Sequence, residues 1–361
     1  MSSAASAMQL ADQGYFFTGG RYVEHDGATI KVGQMFVQYQ IPAERTQPFP
    51  VVMFHGGGQT GTNYLGTPDG RAGWADYFLH QGYAVYVVDQ PGRARSGYFP
   101  AVYGKARRPT VESVERRFTA PAVTKLWPQA HLHSRWPGTG RRGDPIFDQF
   151  FSSQVESIED GELTESLVRD AGVALLERIG PSILLTHSQS GPFGWAIADR
   201  ARERVKAILA IEPNGPPVHE LELLGSPQWF SDAARTRPWG VARVPLTYDP
   251  PVEDASELRF VKQTAPDAAG LACCWLQAEP ARKLPRLSGL PILIVTSEAS
   301  YHAAYDHGTS KYLAQAGVEH AFLRLPDIGI RGNGHMMMLE ENNLEIAAVL
   351  HQWVAQRVAK A

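Results

Sequence analysis

Ile183-Leu184-Leu185-Thr186-His187-Ser188-Gln189-Ser190-Gly191 decides how this chain is read. A continuous apolar run ends in small polar residues, and the helix-compatible Trp195-Ala196-Ile197-Ala198 follows. A strand, a tight turn and a helix with a serine at the apex form a nucleophile elbow. Such a turn strains the serine backbone and tolerates only small neighbours. It also lifts the hydroxyl above the sheet, toward backbone N–H groups and a helix N-terminus. The common elbow reads G-x-S-x-G; here Thr186 and Ser190 hold the glycine positions, with His187 and Gln189 between. Ser188 is the candidate nucleophile, because moving the frame to Ser190 puts Pro192 where a small residue is required. An ordinary serine-rich turn is the competing reading, and the rest of the chain discriminates.

Upstream, Val51-Val52-Met53-Phe54 is a second fully apolar run, ending in His55-Gly56-Gly57-Gly58-Gln59-Thr60-Gly61. Glycines after a buried strand let bare backbone amides approach a ligand. No Gly-Lys-Ser/Thr follows, so a phosphate loop is excluded. A loop supplying an oxyanion-hole N–H opposite the elbow fits. Residues 15–40 alternate as antiparallel strands and hairpins, 74–81 reads as a helix, and 84–88 as a buried strand ending at Asp89. Arg93 and Arg95 lie in the following Gly/Pro turn, where loop-bracing ion pairs compete with an anion clamp.

Downstream of the elbow, 205–211 is a buried strand ending at Glu212, and 291–295 is another, followed by Thr296-Ser297-Glu298-Ala299-Ser300. A helix over 305–315, a strand over 320–325, a loop delivering His335 and a helix over 344–358 close the chain. An amphipathic helix over 165–179 feeds the elbow strand. This alternation predicts an α/β fold, a mostly parallel sheet flanked by helices, with N-terminal antiparallel strands. Its strand ends should gather on one edge, where open α/β sheets bind ligands. Residues 1–97, 164–215 and 288–361 form the core of this reading. Residues 98–163 and 216–287 lose sheet periodicity, hold much Pro, Arg and aromatic residue, and are expected to build a cap or lid.

Composition narrows the function classes. The 361 residues are 43% hydrophobic and 20% charged, with a formal net charge of −3, so neither nucleic acid nor an anionic membrane is an expected partner. No apolar run reaches about 18 residues, which argues against a membrane span. Residues 1–13 lack the basic start and apolar stretch of a leader, so the expected location is cytoplasmic; a leader already removed would make the protein periplasmic or secreted. The two cysteines, Cys273 and Cys274, are adjacent and close no loop. They read as small packed side chains, with a strained redox disulfide as the alternative. No metal-ligand spacing accompanies them.

A histidine-glycine loop at 55–58, an elbow serine, an acid and a late Gly334-His335 together resemble the α/β-hydrolase superfamily over nearly the whole chain. The stretch from His55 through Gly-Thr-Pro-Asp-Gly at 66–70 and on over 83–95, together with Thr-His-Ser-Gln-Ser-Gly at 186–191, resembles bacterial carboxylesterases with a Ser-Glu-His triad. Chain order then gives serine, acid, histidine. The customary aspartate position after the late strand holds Ser300, so the acid must come from elsewhere. The resemblance implies Glu212, with Glu298 as second choice. His335 is the implied base, and the amides of Gly57 and Gln189 form the implied oxyanion hole. The resembled esterases carry a vicinal cysteine pair where this chain has Gly57 and Gly58, but an N–H is present in either case. His55 and His187 read as structural, and Met336-Met337-Met338 as core or pocket wall.

The implied activity is a serine carboxylester hydrolase (esterase or lactonase) working through an acyl-enzyme on a small to medium, apolar or aromatic ester. No cofactor or metal is implied. C–C bond or amide hydrolysis with the same triad, and a non-catalytic ligand-binding protein, are the alternatives. The expected partner is a small-molecule ester, and a homodimer remains open beside a monomer.

Overall fold

Period-two alternation of apolar side chains along the central strands gives the sheet two faces to bury, and each becomes the floor of a separate core. The structure, a computed structural model, describes residues 8–358. Residues 1–7 of the stretch read for a leader lie outside the described residues. The strands are β1 (Leu10–His25), β2 (Ala28–Pro42), β3 (Val51–Phe54), β4 (Val85–Asp89), β5 (Ser182–His187), β6 (Val205–Ile211), β7 (Ile292–Thr296) and β8 (Ala321–Arg324). They form one eight-stranded sheet in the order β1-β2-β4-β3-β5-β6-β7-β8. The β1–β2 and β2–β4 pairs are antiparallel, and every pair from β4 to β8 is parallel. The expected α/β architecture with its antiparallel N-terminal strands is present.

The helices are α1 (Trp74–His80), α2 (Gly161–Ile179), α3 (Gly191–Arg200), α4 (Asp306–Gln315) and α5 (Asn343–Arg357). Val52, Phe54, Leu184, Ile208 and Ile294 pack on α2, α3 and α4. Val51, Met53, Leu185, Leu209 and Val295 face the opposite way, onto α1 and α5. Each fully buried Leu, Ile or Phe contributes roughly 1.5–3 kcal/mol, so a one-residue register slip, which would swap the faces, is strongly disfavoured. Helix α2 starts earlier than the apolar spacing implies. Asp160 caps it by accepting from the amides of Glu162 and Leu163, so a polar first turn is held without apolar contacts.

Two long connections depart from the sheet. The first, between β4 and α2, is built of short helical turns, including a π-turn at Glu115–Thr119 and a helix at Pro145–Ser152. Its Trp127, Trp136, Phe147 and Phe150 are buried. The second, between β6 and β7, reads in sequence as lacking sheet periodicity, yet contains two hairpins: His219–Gly225 with Trp229–Arg235, and Phe260–Lys262 with Trp275–Gln277. These strands are mostly half-buried or exposed, so no clean apolar alternation marks them. Cys273 and Cys274 are free thiols, and burial pushes the Cys274 thiol up to about 12. No helix among the described residues is long and apolar enough to cross a membrane.

Candidate active site

Parallel strands deliver their C-terminal ends to one edge, and the predicted site residues meet there. Ser188 follows β5 directly, in a short 3-10 turn leading into α3. Its φ of 55° lies in the left-handed region, the strain expected of an elbow apex. Close approach explains the small neighbours. A Cβ on Gly191 would stand 2.4 Å from the Cβ of Pro213, and one on Gly56 would stand 3.1 Å from the Cβ of Ser188. Ser190, the rejected frame, is buried, with its Oγ 2.8 Å from the Phe54 carbonyl and 2.7 Å from the His187 amide. It fastens the turn.

Glu212 follows β6, also at positive φ (44°). Its Oε2 lies 2.6 Å from Nδ1 of His335, and both side chains are fully buried. The remaining acceptor capacity of the carboxylate is filled. Oε1 accepts from the Ser297 amide at 2.8 Å and the Ser297 hydroxyl at 2.6 Å, while Oε2 accepts from the Ser300 hydroxyl at 2.6 Å. These partners fix the orientation of the buried carboxylate. Ser300, standing at the customary acid position, donates to Glu212 instead.

The chain matches the alpha/beta hydrolase family over residues 51–349. It belongs to the alpha/beta hydrolase family. A probable secreted lipase from a fungal species (strain ATCC 74256) is 43% identical over 344 residues, covering 95% of this chain and 89% of that protein. A solved structure, described as the atomic-resolution structure of a novel bacterial esterase, is similar in fold with a TM-score of 0.65. That match covers 99% of this chain and 100% of the other, at 24% identity.

Within this alpha/beta hydrolase, the second-choice acid Glu298 is elsewhere: it pairs with Arg331 and accepts from the Gly332 amide at 2.8 Å. It braces the loop that carries His335. His187 and His55 are structural, as expected. His187 Nε2 is 3.0 Å from the His335 carbonyl, and His55 Nδ1 is 2.9 Å from the Gly56 carbonyl. Gly57 lies beside the Gln189 side chain, 3.7 Å from its Oε1 by the same Cβ criterion, so the two candidate oxyanion donors share one corner. The arginine turn divides its labour. Arg95 pairs with Asp89 at 2.6 Å, while the buried Arg93 donates to the Gly56 carbonyl at 2.8 Å and to Gln189 Oε1 at 3.0 Å. Arg93 thereby fixes both walls of that corner, and burial lowers its pKa to about 9.

Several neighbours of His335 are not legible in the sequence. The Tyr301 hydroxyl lies 3.2 Å from His335 Nε2. Phe118 stacks on the His335 ring at 5.2 Å, and His302 stacks at 4.7 Å from the other direction. His302 is itself paired with buried Asp306 at 2.8 Å. Glu212, His302 and His335 are close enough to suggest a metal cluster. However, the Glu212 oxygens and His335 Nδ1 are already engaged in hydrogen bonds to each other and to two serines. That donor set fits proton chemistry better than ligation.

Burial pushes the His335 imidazole well below its usual 6.5, with the charges of His302 and Arg117 acting in the same direction. Only the neutral form can accept a proton, and a lowered pKa keeps it neutral to lower pH. The acid limb of kcat/KM is therefore expected to have its midpoint below pH 6.5. A pH-rate profile with a midpoint above that value contradicts this reading of the environment.

Proposed function

We propose that the protein is a serine ester hydrolase in which Ser188 is the nucleophile, His335 the base and Glu212 the orienting acid. The observation that carries this is the 2.6 Å Glu212–His335 pair, fully buried and delivered by a strand end and a loop to the sheet edge where a serine stands at a strained strand-to-helix turn. The lipase description of the fungal relative supports ester chemistry over C–C or amide cleavage. Its description as secreted favours action outside the cytosol over the cytoplasmic expectation.

With Nδ1–H donated to Glu212, Nε2 is the free acceptor of the ring. Substrate entry displaces the Tyr301 hydroxyl from Nε2, and the Ser188 proton moves there as Oγ bonds to the acyl carbon. The oxyanion is held by the amides of Gly57 and Gln189, each worth about 3 kcal/mol in the transition state. His335 then passes its proton to the leaving alcohol, and water releases the acyl group by the reverse sequence. The two connections at 98–163 and 216–287 act as the cap, with the rings of Phe118 and Tyr301 contacting the apolar part of a small to medium ester.

A rapid-mixing assay with 4-nitrophenyl butyrate checks this. A burst of 4-nitrophenolate, stoichiometric with enzyme and followed by slower steady turnover, is the expected result. Linear release matched by the Ser188→Ala variant would remove the acyl-enzyme from the account.

A further inference from the structure

The π-turn at Glu115–Thr119 brings two side chains to the catalytic pair: Phe118 against the His335 ring and Arg117 over the Tyr301 ring, 5.7 Å from its centroid. The turn belongs to a segment that is pinned in place. The Trp127 indole donates to the Ala299 carbonyl at 3.0 Å, and buried His133 bonds Glu340 at 2.7 Å. Arg117 is thus held at the rim of the site by a fixed roof.

The charges around it are already committed. Glu212 is spent on His335 and two serines, Asp306 on His302 and Thr296, and Glu220 on Arg237 at 2.7 Å. Among the described residues Arg117 takes part in no ion pair and no side-chain hydrogen bond, although it is exposed and carries five N–H donors. Its positive charge reaches His335, whose pKa burial lowers first and His302 and Arg117 lower further. A permanent cation beside a general base disfavours the imidazolium that forms in the transition state. A substrate anion that neutralises it removes that penalty.

We propose that Arg117 is a specificity determinant that binds a carboxylate on the substrate, so that the preferred ester is anionic and not purely apolar. The proposal rests on the ester-hydrolase reading above. A planar guanidinium pairs a carboxylate through two parallel N–H···O bonds. The carboxylate is carried either by the acyl half or by the alcohol half.

The test compares three esters on wild type, Arg117→Ala and, as a charge-matched control, Arg116→Ala. The esters are neutral 4-nitrophenyl butyrate, mono-4-nitrophenyl glutarate with the charge in the acyl half, and 4-carboxyphenyl butyrate with the charge in the alcohol half. Arg117→Ala is expected to lower kcat/KM about tenfold for at least one charged ester, mainly through KM. The neutral ester should not fall, since loss of Arg117 only removes a cation that disfavours the imidazolium. Arg116→Ala should leave all three near wild type, and about 0.5 M salt should reproduce the Arg117→Ala loss in the wild type. An equal fall for charged and neutral esters, or no fall for either charged ester, overturns the role of Arg117. Failure of wild type to turn over any of the three overturns the ester-hydrolase reading itself.

Discussion

Ser188→Ala is expected to lower kcat toward a 4-nitrophenyl ester on the order of 10⁵-fold while the protein remains folded. No neighbouring serine can take over. Ser190 is buried and engaged with Phe54 and His187, and the Ser297 and Ser300 hydroxyls are spent on Glu212. Ser188 itself fills no structural bond of that kind, so the loss belongs to chemistry. Ser190→Ala should behave in the opposite sense. It leaves the His187 amide without its acceptor and costs about 1–3 kcal/mol of stability, but retains the acylation step. Urea melts beside burst assays on the two variants separate these effects. A Ser188→Ala protein that keeps more than about one per cent of wild-type kcat would move the nucleophile elsewhere.

Glu212→Ala should cost about 10⁴-fold in kcat, whereas Glu298→Ala should change kcat by less than about threefold. The asymmetry follows from what each carboxylate touches. Without Glu212, His335 Nδ1–H loses its acceptor and the imidazole is free to adopt the wrong tautomer. The Ser297 amide and the Ser300 hydroxyl lose their acceptor as well, while the Ser297 hydroxyl keeps the Gly334 carbonyl at 3.0 Å, so a stability loss of about 2–3 kcal/mol accompanies the kinetic one. Glu298 holds Arg331 and the Gly332 amide at a partly exposed position, and its removal loosens the His335 loop only slightly. Glu212→Gln refines the comparison. It keeps the side-chain volume, so kinetic loss without an equal fall in stability isolates the need for a negative charge.

The parallel part of the sheet was legible because its strands are short, largely apolar runs, and because helix-period stretches separate many of them. The elbow was legible despite lacking both usual glycines. The local requirement is for small residues where Pro213 and Gly56 press in, and Thr186, Ser190 and Gly191 satisfy it. Position along the chain pointed to Glu212 and His335, since each directly follows the end of a strand or loop on the ligand-binding edge. Tyr301, His302–Asp306, Phe118 and Arg117 were not legible. They come from a loop and from a connection without periodicity, and their proximity to His335 is created by packing across long sequence separations. Trp127, Trp136, Phe147 and Phe150 build the interior of the roof, so their abundance says little about substrate polarity.

The measurement that tests the central claim most directly is peptide mapping by mass spectrometry after reaction with a fluorophosphonate, with Glu212→Ala beside the wild type. The account predicts one covalent adduct on the wild-type peptide at Ser188, formed far more slowly in the Glu212→Ala protein. A label on Ser190 or Ser300, or equally fast labelling without Glu212, would contradict the Ser188–His335–Glu212 assignment.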